Sequence, residues 1–202
     1  MRISRASPLV LGSASPRRFE LLRLTGIPFV VRSVDIDENA RPAESAESYL
    51  VRVARAKLDA VRRLDLSPSG ACLVADTIVV APDGALLGKP RDVNEAQAMI
   101  VRLAGATHEV STRFVLGENP SDASPACAET ITTRVTFREI EPDEARAYAV
   151  NGEGRDKAGG YAIQGSAATF IRRIDGSYTN VVGLPLCEVF TALRALGWLE
   201  AP

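Results

Sequence analysis

Histidine is nearly missing from this chain: 202 residues contain one, His108. A multi-histidine metal cage is therefore excluded, and any histidine-based triad would have to use that residue. A metal here is expected to be a hard cation on carboxylate oxygens. Aromatic residues make up only 5%, and 24 Lys and Arg stand against 25 Asp and Glu, a net charge of −1. Neither a basic field nor a ladder of stacking side chains is on offer, so no nucleic-acid partner is expected. No apolar run approaches the ~18 residues of a membrane span, which excludes a spanning helix. Cys72, Cys127 and Cys187 are odd in number and widely spaced, without a C-x-x-C pair. They read as reduced thiols of a cytoplasmic protein. The charged start Met1–Arg5 is followed only by the short apolar Leu9-Val10-Leu11, so no secretory signal is expected.

What the chain does have is 46% hydrophobic and 24% charged residues, enough for one folded domain over 1–202 with its own core. Strand-like and helix-like segments alternate, which predicts an α/β fold. Strands are expected at Leu9–Leu11, Phe29–Ile36, Cys72–Val80 with an interruption at Asp76-Thr77, Glu109–Leu116, Thr130–Phe137 and Phe170–Ile174. Helices are expected at Pro16–Leu24, Ser45–Leu64, from Asp92 to Gly105, Pro142–Val150 and Pro185–Leu196. Pro82-Asp83-Gly84 predicts a hairpin, and Gly117–Ala126 an exposed connector.

Three places combine charge with an unusual position. In Gly12-Ser13-Ala14-Ser15-Pro16-Arg17-Arg18, Ser15 before Pro16 predicts a capped helix start directly behind a strand. Arg17 and Arg18 then sit at the positive end of the helix dipole, where cations are disfavoured by ~0.3–1 kcal/mol unless an anion arrives. Free backbone N–H groups, two hydroxyls and two guanidiniums together suit a phosphate. In the helix Ser45–Leu64, Leu50, Val53, Ala54, Val61 and Leu64 form an apolar stripe, and Lys57 falls near its centre. Such a lysine either snorkels to the surface or opens into a cleft to meet an anion. Finally, Asp35, Asp37, Glu38 and Asp76 fall at the ends of strands, where α/β proteins bind ligands. Leu87-Gly88-Lys89-Pro90-Arg91-Asp92 adds a lysine and an acid but lacks the Walker pattern, which excludes a P-loop kinase or ATPase. His108, Met99 and Trp198 read as structural.

Ser13–Leu22, Asp37-Glu38, Asp76 within Ala75–Val80, Gly88–Asp92, Lys157–Gly165 and Gly176–Pro185 together resemble the Maf family of nucleoside triphosphate pyrophosphatases, in order and over almost the whole chain. The resemblance implies a bilobed mixed-sheet α/β fold around a central cleft, related to the inosine triphosphatase architecture. It implies hydrolysis of a nucleoside triphosphate to monophosphate and pyrophosphate with a divalent cation. It marks Asp76 as the proton acceptor, and Arg17, Thr77 and Gln164 as positions of substrate choice.

The residues themselves suit that chemistry. Asp76 can orient or deprotonate a water, or hold the metal, and the sequence leaves the two roles open. Glu38, with Asp76 or Asp92, can hold Mg²⁺ or Mn²⁺. Ser13, Arg17, Arg18, Lys57 and Lys89 can bind and neutralise the phosphates. The uninterrupted Ser15-Pro16-Arg17-Arg18 and the segment Ile163-Gln164-Gly165 resemble the dTTP/UTP form of the family rather than the 7-methyl-GTP form. A glutamine amide both donates and accepts, so it can pair with the ring N–H and a carbonyl of uracil or thymine. The rival reading is a nucleotide-binding regulator of septum formation with little turnover, but every acid and cation of the set is present. A homodimer is the assembly expected of a compact cytoplasmic enzyme.

Overall fold

Three consecutive residues with almost no exposed surface, Leu9–Leu11, form strand β1 near one end of a sheet. The computed structural model describes residues 2–118 and 124–199. β1 lies between β2 (Phe29–Val31) and β3 (Ala71–Val80) and is parallel to both. Parallel neighbours need crossovers. These contain α1 (Pro16–Arg23) and α2 (Ala46–Arg62). From β3 onward the pairing is antiparallel. β4 (Leu86–Leu87) folds back on β3, and α3 (Val93–Leu103) leads to β5 (Thr107–Glu118) and β6 (Cys127–Phe137). α4 (Pro142–Asn151), β7 (Ile171–Asp175), α5 (Tyr178–Val182) and α6 (Leu186–Ala195) follow. The strand order is β2-β1-β3-β5-β6-β7, with β4 on β3. This is a mixed α/β sheet, as expected from the sequence.

Alternation along the strands sorts the core onto two faces. Leu9, Leu11, Leu73 and Ala75 join the larger cluster with Ile100, Phe114, Phe137 and Leu193. Val10, Cys72 and Val74 point the other way and pack beneath α2 with Ala54, Leu58 and Val61. Burial on both faces explains why β1 and the start of β3 read as unbroken apolar runs. Cys72, Cys127 and Cys187 are free thiols. Among the described residues no helix is long and apolar enough to cross a membrane.

Two expectations are revised. β2 stops at Val31 rather than Ile36. Beyond it the chain carries Asp35, Asp37 and Glu38, and Asp37 accepts hydrogen bonds from the backbone and side chain of Asn39 in a turn that ends any strand. β3, in contrast, runs straight through Asp76-Thr77. α5 and two short 3₁₀ turns, at Ala158–Gly160 and Ser166–Phe170, were not expected. Residues 119–123 of the expected connector lie outside the described residues.

His108 on β5 is 1% exposed and meets Phe137 and Tyr161 edge-on, at 4.8 and 5.5 Å between ring centres. Its Nε2 shares a 2.9 Å hydrogen bond with the Tyr161 hydroxyl. Burial lowers its pKa to about 4. The folded state therefore keeps His108 neutral while the unfolded chain takes up a proton below pH ~6.5. Stability falls as pH drops from there to about 4, by on the order of 3 kcal/mol from this residue alone. Urea unfolding of His108→Gln at pH 7 and pH 4 is expected to show a correspondingly smaller acid loss than the parent chain. An identical acid loss in both would remove His108 from the account.

Candidate functional site

At the end of β1, Gly12 has no room for a side chain. A Cβ on Gly12 would come within 2.4 Å of Val61 Cγ2 and 2.8 Å of Val74 Cγ1, so only glycine lets the backbone pass here. The chain then opens into the helix start. Ser15 caps α1, its hydroxyl accepting from the Arg18 N–H, and Pro16 occupies the first turn. These residues form one wall of a cleft of about 640 Å³, which is also lined by Glu38, Lys57, Asp76, Thr77, Lys89 and Gln164.

Two positive groups here have fixed partners. Arg18 is buried, and its Nε donates to the Gly183 carbonyl at 2.8 Å. Its Nη1 donates to Ser13 Oγ at 3.4 Å and its Nη2 to Thr77 Oγ1 at 3.1 Å. Burial lowers the guanidinium pKa, against the raising fields of Asp76 and Glu38. Arg17 reaches across to Asp156 instead, with Nη1 2.7 Å from Oδ2. Partial burial alone would raise the Asp156 carboxyl, but hydrogen bonds from Lys157 and Arg17 outweigh it and hold its pKa at about 2.

Lys57 turns into the cleft rather than out to the surface. Its Nζ lies 2.5 Å from Asp76 Oδ1, 2.6 Å from Glu38 Oε1 and 3.4 Å from the Ala75 carbonyl. Both Lys57 and Asp76 are buried. Glu38 is shared further with Lys89, at 3.0 Å. Partial burial pushes the Glu38 carboxyl up, but the charges and hydrogen bonds of Lys57 and Lys89 prevail and hold its pKa at about 2. Tyr49 Oη donates to the Glu38 carbonyl at 3.1 Å, fixing the loop after β2 over α2. The second oxygen of Asp76, Oδ2, is buried without a hydrogen-bond partner among the described residues. Such an atom calls for a functional account.

Gln164 is exposed on the cleft wall, and no hydrogen bond is made by its side chain among the described residues. Its segment is anchored from behind, where the Ala162 N–H donates to Tyr148 Oη at 2.9 Å and Tyr161 meets His108. Asp92 is not brought to this cleft: it caps α3, its Oδ1 accepting from the Glu95 N–H at 2.8 Å. Among the described residues no group of three or more His, Cys, Asp or Glu could hold a metal. The carboxylates that converge are Glu38 and Asp76.

Asp156 and Tyr49 were not singled out in the sequence, and Gly183 stood there only within the segment Gly176–Pro185, without a role. Asp156 lies in a glycine-rich stretch, and only the fold shows that it faces Arg17 across 139 residues.

Residues 8–196 match a family model described as Maf-like protein. A protein from Geotalea uraniireducens (strain Rf4) named dTTP/UTP pyrophosphatase is 46% identical, covering 96% of this chain and 97% of its own. Another of that name, from Hahella chejuensis (strain KCTC 2396), is 44% identical, with 94% and 92% covered. Among solved structures, a HAM1 protein from Coxiella burnetii superposes with a TM-score of 0.51 at 14% identity, covering 94% of this chain and 99% of the other. That likeness is one of fold.

Proposed function

The chain belongs to the Maf family, and on that premise we propose that it hydrolyses dTTP and UTP to the nucleoside monophosphate and pyrophosphate. Water attacks the α-phosphate in this reading. The observation that carries it is the division of labour on Asp76: Oδ1 is held by Lys57, and Oδ2 is buried, without a hydrogen-bond partner among the described residues, on a residue that lines a cleft ringed by cations. A carboxylate oxygen fixed in this way can orient a water and take its proton.

The remaining residues divide between charge and position. Arg17, Arg18 and Lys89 offset the charge of the triphosphate and of the departing pyrophosphate. Ser13 and the Arg17 N–H bind phosphate oxygens, since Pro16 has no N–H and the Arg18 N–H is held by Ser15. Lys57, with its protons directed to Asp76, Glu38 and Ala75, holds the two acids in one arrangement.

Glu38, beside Asp76, suits Mg²⁺ or Mn²⁺, which commonly takes one or two carboxylates and completes its shell with phosphate oxygens and water. The bound ion would supply further charge neutralisation on the phosphates. Asp92 has no part in this set. The reading also places the protein in the cytoplasm, as a single domain over 1–202 acting on free nucleotides and assembled as a homodimer.

The test is pyrophosphate release with Mg²⁺ over a panel of nucleotides: UTP and dTTP should lead it, and no release from any triphosphate would remove the proposal. Gln164 should read the base. Gln164→Glu replaces an amide that donates and accepts with a group that only accepts. It is expected to lower kcat/KM on UTP and dTTP by roughly tenfold more than on 7-methyl-GTP. Equal loss on all three would show that Gln164 does not read the base.

A further inference from the structure

Behind the cleft, a chain of hydrogen bonds fixes which way one hydroxyl points. Thr112 on β5 is fully buried, and its Oγ1 lies 3.0 Å from the Asn180 carbonyl. A carbonyl can only accept, so the single Thr112 proton is directed there. Thr112 must then accept from Thr77, whose Oγ1 is 2.9 Å away, and Thr77's own proton is committed inward. Arg18 Nη2, which can only donate, takes one of the lone pairs of Thr77 at 3.1 Å. What Thr77 has left for the cleft is a lone pair. Asn180 is itself held, with Nδ2 donating to the Val110 carbonyl and to Thr133 Oγ1, both at 2.9 Å.

Ser13 has the opposite polarity. Its Oγ accepts from the Ser15 N–H at 3.2 Å and from Arg18 Nη1 at 3.4 Å, and among the described residues its proton has no acceptor. Ser13 therefore donates, which suits phosphate oxygens. Thr77 accepts, and an ionised phosphate has nothing to donate to it. The group that meets Thr77 must be a donor, and the nucleoside carries donors where the ionised phosphates carry none. Thr77 lines the same cleft as Asp76 but from the opposite face of β3, beside Arg18 rather than Lys57, and the sugar is the first part of the nucleoside beyond the α-phosphate. The base N–H falls to Gln164. Of the sugar hydroxyls, dTTP and UTP share only the 3′.

Resting on the pyrophosphatase reading above, we infer that Thr112 is a positioning residue for nucleotide binding: it holds Thr77 as an acceptor for the substrate's 3′-hydroxyl.

The experiment measures affinity by calorimetry for α,β-methylene dTTP and for its 3′-fluoro counterpart, which keeps the size of the hydroxyl but cannot donate. The parent chain is expected to prefer the hydroxyl form by roughly tenfold. Thr112→Val, which removes the hydroxyl and keeps the shape, should shrink that preference to within about threefold, and Thr112→Ser should keep it. Should Thr112→Val fail to fold, Thr77→Val must lose the preference too, through weaker binding of the hydroxyl form. No preference in the parent chain, or one that Thr112→Val leaves intact, overturns the inference. So does a Thr112→Val effect that shows only between UTP and CTP analogues, because Thr77 would then be meeting the base. A chain that binds as expected but releases no pyrophosphate from dTTP sinks the activity reading alone.

Discussion

Asp76→Asn is expected to lower kcat/KM on UTP by roughly 10³-fold, while the affinity for nucleotide changes little. Asparagine matches the size of aspartate, so the packing on β3 survives. The oxygen that lacks a partner in the native cleft is replaced by, or paired with, an amide that cannot take a proton at neutral pH. Lys57 still has Glu38 at 2.6 Å, so its charge is not stranded. The loss therefore reports on chemistry more than on folding. Single-turnover pyrophosphate release, with unfolding followed in parallel, separates the two. A variant within tenfold of the parent rate would mean that Asp76 is not the base.

Lys57→Met is expected to damage both stability and rate. Methionine fills the space beneath the cleft, but Asp76 is then left buried without the ammonium that holds its Oδ1. Removing one partner of a buried ion pair costs about 3–5 kcal/mol, because the other charge is left uncompensated. The rate should fall by about 10²-fold or more, since Asp76 and Glu38 lose the ammonium that aligns them. The double variant Lys57→Met/Asp76→Asn is expected to regain much of the stability and none of the rate. Urea unfolding of the two single variants and the double variant gives the coupling energy directly. Additive losses would show that the two groups do not act as a pair.

These two residues differ in how plainly the sequence announces them. Lys57 breaks the polarity of an otherwise apolar helix face, a signal readable from spacing alone. Its partner Asp76 is also conspicuous, as an acid within a β-branched run, but the pairing of the two depends on how α2 lies across β3. Ser15-Pro16-Arg17-Arg18 was legible because a cap, a helix-starting proline and misplaced cations coincide over four residues. Local chemistry of that kind survives in sequence.

The parts that were not legible are long-range. Arg17 to Asp156, Arg18 to Gly183 and Thr112 to Asn180 join residues 139, 165 and 68 positions apart. Each end looks ordinary: an acid among glycines, a glycine, a threonine in a strand. Asp92 shows the converse. An acid near Gly88-Lys89 suits a metal by type and proximity in sequence, yet the backbone N–H of Glu95 claims its carboxylate for the start of α3. Helix capping competed for the same side chain.

The central claim is that water is delivered to the α-phosphate beside Asp76. The most direct test is hydrolysis of UTP in ¹⁸O-water with Mg²⁺, with both products analysed by mass spectrometry. The account predicts one labelled oxygen in UMP and none in pyrophosphate. Label in pyrophosphate would place the attack on the β-phosphate, and release of inorganic phosphate instead would contradict the reaction itself.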